Sequence, residues 1–280
     1  DNLKSKIVPI FSDATEAAYN YVGNLGSTYL FLTNKDAPNY KLITANINAT
    51  SSKLNQSEGT QWSHVSLVST FLEEHPKNVV NFAGIVDERK LVISYMEDVR
   101  HTLEIRSLDT AKLITKIHLP EGTISGFSRQ NIHEKEFFFK LDNFISPGTI
   151  YHCTVNGEKI DCQVLKQIEI PKMNLNAFTT EQIFYPSKDG TMIPMYITKK
   201  KDVIYNSSTP ALLYGYGGFN EPILPSFSSK NLMFVESFNG IYASANIRGG
   251  GEYGKKWYDG SKTFVQIEII IIISILPKVM

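Results

Sequence analysis

The sequence predicts an all-β first region, built as a propeller-like repeat of short strands, followed by the opening of an α/β sheet. Two observations carry this. From the start to about Ile170, runs rich in β-branched and aromatic residues follow one another, and no stretch sustains helical periodicity for three turns. After Ile170 the texture changes, and two short buried strands each run into a glycine-rich loop.

Strand signals fall at residues 29–33, 40–44, 91–95, 102–106, 113–117, 137–139, 149–155 and 163–168. Loops containing Gly, Pro, Asn or Asp separate many of them. The pattern of strand, short loop, strand, turn and strand recurs at roughly 45–60 residues, which suits propeller blades better than one sandwich. Identity between those units is negligible, so pattern alone leaves a β-sandwich open.

Beyond Ile170, residues 182–185 and 193–197 read as two strands around the turn Ser187-Lys-Asp-Gly190. Residues 210–214 form a buried strand that runs into Gly215-Tyr-Gly-Gly218. Residues 241–246 form a second, which runs into Arg248-Gly-Gly-Gly-Glu-Tyr-Gly254. In α/β sheets the ligand site lies outside the carboxyl ends of the strands, so both loops stand at a candidate site.

Hydrophobic residues make up 42% and charged residues 20% of the 280, which is globular usage. The 28 basic and 28 acidic side chains cancel, so no electrostatic footprint points to nucleic acid or an anionic membrane surface. The chain begins at Asp1, and sequence upstream of it is expected. Sequons start at Asn48, Asn55 and Asn206 and are read as unused. Cys153 and Cys162 flank Asn156-Gly157, which reads as a tight hairpin turn. That turn would set Cys153 opposite Ile160 and Cys162 opposite Tyr151, which predicts two free thiols and a reducing compartment.

Two loops nearly match nucleotide motifs. Gly215-Tyr-Gly-Gly-Phe-Asn220 has Asn220 in the last glycine position, and Pro222 and Pro225 oppose the helix that must follow. In Gly249 to Lys255, Lys256 replaces the Ser or Thr that would hold magnesium. The six histidines are scattered without clustered partners, so no zinc site is expected. No Gly-x-Ser-x-Gly occurs, so the residues themselves offer a glycine-rich pocket and no nucleophile.

Residues 184–197, then Leu213-Tyr-Gly-Tyr-Gly-Gly-Phe219, then Ala245-Asn-Ile-Arg-Gly-Gly-Gly-Glu-Tyr-Gly254, resemble the prolyl oligopeptidases in order and spacing. Ser146-Pro-Gly-Thr-Ile-Tyr-His-Cys153, Phe31-Leu-Thr-Asn34 and Pro38-Asn-Tyr40 match later propeller blades of that family. The resemblance covers residues 1 to about 260. Sister oligopeptidases that cut after basic residues share the Arg-Gly-Gly-Gly-Glu stretch but not the whole set.

The resemblance implies a seven-bladed propeller capping an α/β-hydrolase domain. Residues 1–170 would be a partial β-propeller of the last three or four blades. Residues 171–264 would be the start of the hydrolase domain, and residues 265–280 an isoleucine-rich tail foreign to the family. By the same resemblance Tyr216 donates its hydroxyl to the oxyanion of the tetrahedral intermediate, and Phe219 lines the pocket for the substrate proline. Gly217, Gly218, Arg248, Gly249 and Gly250 shape the active-site loop. The parent would be a cytoplasmic serine peptidase acting on short proline-containing peptides. It would use no metal or organic cofactor and have no nucleic-acid or membrane partner.

The family's serine, aspartate and histidine are absent from this chain, so it is expected to hydrolyse nothing alone. The alternatives are a non-catalytic isoform that binds proteins through its blades, and a fragment of a basic-residue-specific oligopeptidase. The apolar run from Ile269 to Leu276 is too short to span a bilayer, which needs about 20 residues. It is read as an aggregation-prone tail, with a buried terminal strand as its alternative.

Overall fold

In the computed structural model, residues 10, 11, 16–47, 65–129 and 131–261 are described. The tail at residues 265–280 and the sequons at Asn48 and Asn55 lie outside them. Three antiparallel four-stranded meanders come first. The first consists of β1 (Tyr19–Leu25), β2 (Thr28–Thr33), β3 (Lys41–Ile47) and β4 (Val65–Leu72). The second consists of β5 (Val79–Val86), β6 (Lys90–Glu97), β7 (Arg100–Ser107) and β8 (Leu113–Ile117). The third consists of β9 (Thr123–Ser128), β10 (Glu136–Asn143), β11 (Ser146–Asn156) and β12 (Lys159–Gln167).

The second sheet lies between the other two, and β6 shows why its sequence is apolar on both faces. Leu91, Ile93 and Tyr95 alternate toward Val22, Leu30 and Leu42 of the first sheet. Val92, on the opposite face, joins Phe137, Phe139 and Val155 of the third. A strand covered on both sides reads as a continuous hydrophobic run.

The leading strands β1, β5 and β9 converge. A Cβ added to Gly23 would stand 2.7 Å from Ile85 Cδ1, and one added to Gly84 would stand 2.9 Å from Phe127 Cε1. Each glycine thus leaves room for an apolar side chain of the next sheet. Arg129, just past β9, donates to the Val22 carbonyl of β1 at 3.2 Å, which ties the third sheet to the first.

The cysteine expectation is corrected here. Cys153 lies directly opposite Cys162 on β11 and β12, and their sulfurs are bonded. The turn sits one residue later than the sequence suggested. Asn156 pairs with Lys159, so Gly157 and Glu158 form the turn, and Gly157 takes the left-handed conformation at φ 61°. A one-residue slip changes every cross-strand partner. The argument for a reducing compartment rested on unpaired thiols and has no basis here.

A mixed sheet follows, made of β13 (Phe178–Pro186), β14 (Met192–Lys200), β15 (Ala211–Gly215) and β16 (Ile241–Ala245) in the order β13-β14-β16-β15. β15 and β16 are parallel neighbours, which requires a crossover, and α1 (Ser229–Phe238) supplies it. Ser228 caps α1 by accepting from the Asn231 amide at 3.4 Å, and Asn239 ends it in the left-handed conformation. Leu232 and Val235 pack this helix onto Tyr196 and Tyr242. A short second helix, α2 (Lys255–Asp259), closes the described chain.

The β6–β7 hairpin joins the second meander to the mixed sheet. Its turn residues Asp98 and Val99 both have positive φ, at 46° and 63°. Val99 is fully buried among Phe144, Phe178 and Tyr196, and its carbonyl accepts from the Tyr196 hydroxyl at 3.2 Å. A β-branched residue rarely adopts this backbone, so packing holds it there.

Candidate active site

The parallel register pairs Ala211 with Ile241 and Gly215 with Ala245, so β15 and β16 end at one level. Their loops therefore emerge side by side, and the glycines let them interlock. A Cβ on Gly217 would overlap the Arg248 carbonyl and approach Ile247 Cγ1 to 2.7 Å. Gly249 has φ 105° and lies against the Gly217 carbonyl, so no side chain fits there either. The Asn220 amide donates to the Gly249 carbonyl at 3.1 Å across the seam.

Of the residues singled out in the sequence, Tyr216 to Phe219 occupy the tip of the first loop. The half-buried Tyr216 folds back over its own loop, and a Cβ on Gly218 would stand 3.3 Å from its hydroxyl. Phe219 is 85% exposed and has φ 55°, followed by Asn220 at 59°. The loop thus presents an aromatic ring outward on a constrained backbone. Gly250 sits over the Glu252 carboxylate.

Arg248 points the other way. Only 6% exposed, it donates to Asp189 Oδ2 at 2.6 Å and to Ser187 Oγ at 3.0 Å in the β13–β14 turn. The Arg248 guanidinium, helped by the Thr191 amide, holds the Asp189 carboxyl down at about 2. This pair ties the second loop to the sheet's far hairpin.

Sequence reasoning passed over three further residues. Asn246 and Glu252 flank the glycine run and are both buried. Tyr253 reaches out to Asp98 in the second meander. Polar residues bracketing a glycine run after a buried strand were the available signal. Among the described residues, no group of three or more His, Cys, Asp or Glu side chains could hold a metal ion.

Comparison with known proteins adds the following. Residues 1–166 match the family model for the prolyl oligopeptidase N-terminal beta-propeller domain. Prolyl oligopeptidase ophP of Omphalotus olearius is 38% identical over 249 residues, which is 88% of this chain and 31% of that protein. A prolyl endopeptidase of Elizabethkingia miricola is 35% identical over 258 residues, or 91% of this chain and 33% of that protein. Prolyl oligopeptidase B from Galerina marginata, solved with a 25mer macrocyclization substrate, superposes with a TM-score of 0.79 at 28% identity. The match covers 94% of this chain and 35% of that one. The chain spans about a third of the length of the curated relatives it matches.

Proposed function

The chain belongs to the prolyl oligopeptidase family, and we propose on that premise that it is part of a serine peptidase cutting short peptides after proline. In this reading the three meanders are three blades of the family's β-propeller domain, which accounts for residues 1–170. The mixed sheet, with its parallel pair and crossover helix, is the start of an α/β-hydrolase domain over residues 171–264.

One observation carries the site assignment: the two glycine loops interlock at the carboxyl ends of adjacent parallel strands and present Tyr216 and Phe219 at their tip. The apolar ring of Phe219 suits a pyrrolidine side chain, which has nothing to hydrogen-bond. The Tyr216 hydroxyl is a donor that can turn outward to meet the developing oxyanion. Such a donor acts where charge appears in the transition state, so its effect falls on turnover. The chemistry is acyl transfer: serine attack, an acyl-enzyme, then hydrolysis by water. This chain carries no Gly-x-Ser-x-Gly, and in this reading the nucleophilic serine, with its aspartate and histidine, is supplied by another part of the polypeptide. The propeller restricts access to short, unstructured peptides.

The test is cleavage of a fluorogenic peptide with proline at the cut site. The 280-residue chain is expected to give no turnover. The full-length product of its gene is expected to cleave, and Tyr216→Phe to lower that turnover about 100-fold. Turnover by the 280-residue chain, or none by the full-length product, overturns the proposal.

A further inference from the structure

Two buried side chains of the second glycine loop grip the backbone that follows the first. The Ile223 amide donates to Glu252 Oε1 at 2.9 Å. The Ile223 carbonyl accepts from Asn246 Nδ2 at 2.5 Å. Asn246 Nδ2 also donates to the same Glu252 oxygen at 3.2 Å, so the two side chains form one unit. Asn246 is 0% and Glu252 1% exposed.

We propose that Asn246 and Glu252 are positioning residues for the Tyr216–Phe219 loop, a role that rests on the peptidase reading above. The loop is fastened at three points. Gly215 is paired with Ala245 in the sheet, Asn220 is bonded to Gly249, and Ile223 is gripped from both sides. Everything between the sheet and the clamp is the segment that carries the two candidate substrate-facing side chains.

Two physical arguments favour positioning over plain packing. A buried carboxylate is costly, and an apolar side chain would fill the same space more cheaply. What only an acid or amide supplies is an acceptor for the Ile223 amide. Second, Phe219 and Asn220 hold consecutive left-handed conformations, at φ 55° and 59°. Such a backbone persists only where the surroundings over-determine it, and the clamp just beyond Asn220 provides that constraint. Burial pushes the Glu252 carboxyl up, and the Ile223 amide and Asn246 side chain pull it back.

Hydrogen–deuterium exchange of the full-length product of the gene, read on the amides of residues 216–221, 223 and 224, tests the role. Glu252→Ala and Asn246→Ala are expected to speed exchange there about tenfold or more, with β5 to β8 unchanged. Glu252→Gln keeps an acceptor oxygen at the same reach and is expected to restore most of the protection. Unchanged exchange in Glu252→Ala, loosening spread equally over β13 to β16, or no rescue by the glutamine would overturn the inference. The readout needs no turnover. A clamp that fails here leaves the peptidase proposal standing, and a failed cleavage assay leaves this measurement intact.

Discussion

Tyr253 donates its phenolic hydroxyl to Asp98 Oδ1 at 3.1 Å, joining the second glycine loop to the β6–β7 hairpin across 155 residues of sequence. Lys77 holds the other oxygen of Asp98 at 2.9 Å, and Gln182 donates to the Asp98 carbonyl at 2.8 Å. Burial, and after it the Asp98 charge, pushes the Tyr253 hydroxyl well above its usual range, so it remains a donor at every ordinary pH. One hairpin turn therefore links the propeller strands, the mixed sheet and the candidate site.

Tyr253→Phe is accordingly expected to destabilise the chain by about 1 kcal/mol, the discounted value of a hydrogen bond to a partly exposed carboxylate. Lys77 is more than half exposed and contributes less. Urea melts of the single variants and of the Tyr253→Phe/Asp98→Asn pair give the coupling. Strict additivity would show that the contact carries no energy of its own.

His101 predicts a pH dependence. It is buried on β7, its Nδ1 accepts from the Ile124 amide at 2.9 Å, and burial pushes its pKa from 6.5 down to about 4. The folded state therefore binds this proton less readily than the unfolded state. Stability is full above pH 6.5 and falls as pH drops toward 4, by about 3 kcal/mol in all. Thermal melts between pH 7 and 4 measure the slope, and His101→Phe should flatten it. An equal slope in that variant would assign the loss to other groups.

The Cys153–Cys162 bond closes a short hairpin, with nine residues of sequence separation. Restricting so small a loop in the unfolded chain stabilises the fold by about 2–3 kcal/mol. Reduction is expected to lower the unfolding free energy by that amount, read from the shift of a urea melt, and leave the sheet folded, because Cys153 stays buried among Phe137 and Val155. Thiol titration of the unreduced, unfolded chain should find none free.

What the sequence revealed, and what it hid, follows from range. The second and third strands of each meander, and the fourth strands β8 and β12, were legible from their β-branched and aromatic residues, most plainly in β6, whose apolar run is nearly unbroken. The leading strands β1, β5 and β9 were not. Each contains a glycine and a register irregularity, which breaks the alternation a strand is recognised by. The helix α1 escaped notice because it buries only Leu232 and Val235. The glycine loops were plain from composition alone. The roles of Asn246, Glu252 and Tyr253 were not, because their partners Ile223 and Asp98 are distant in sequence and meet them only in the folded chain.

Arg248 and Asp189 supply a site-level test of how the second loop is held. The carboxyl of Asp189 is held at about 2 mainly by the Arg248 hydrogen bond and next by the Thr191 amide. Arg248→Met is therefore expected to raise it most of the way toward its ordinary 3.8, the Thr191 amide retaining the remainder. A depressed carboxyl stabilises the folded state above its ordinary pKa and loses that contribution as pH falls toward 2. The variant should lose this pH dependence while Gly217 and Gly249 keep their backbone contact, which does not involve the guanidinium. Carbon-detected NMR titration of the Asp189 carboxyl reads the first effect directly. A value that stays near 2 without Arg248 would mean that the turn's own amides, rather than the loop, set the charge at this corner of the site.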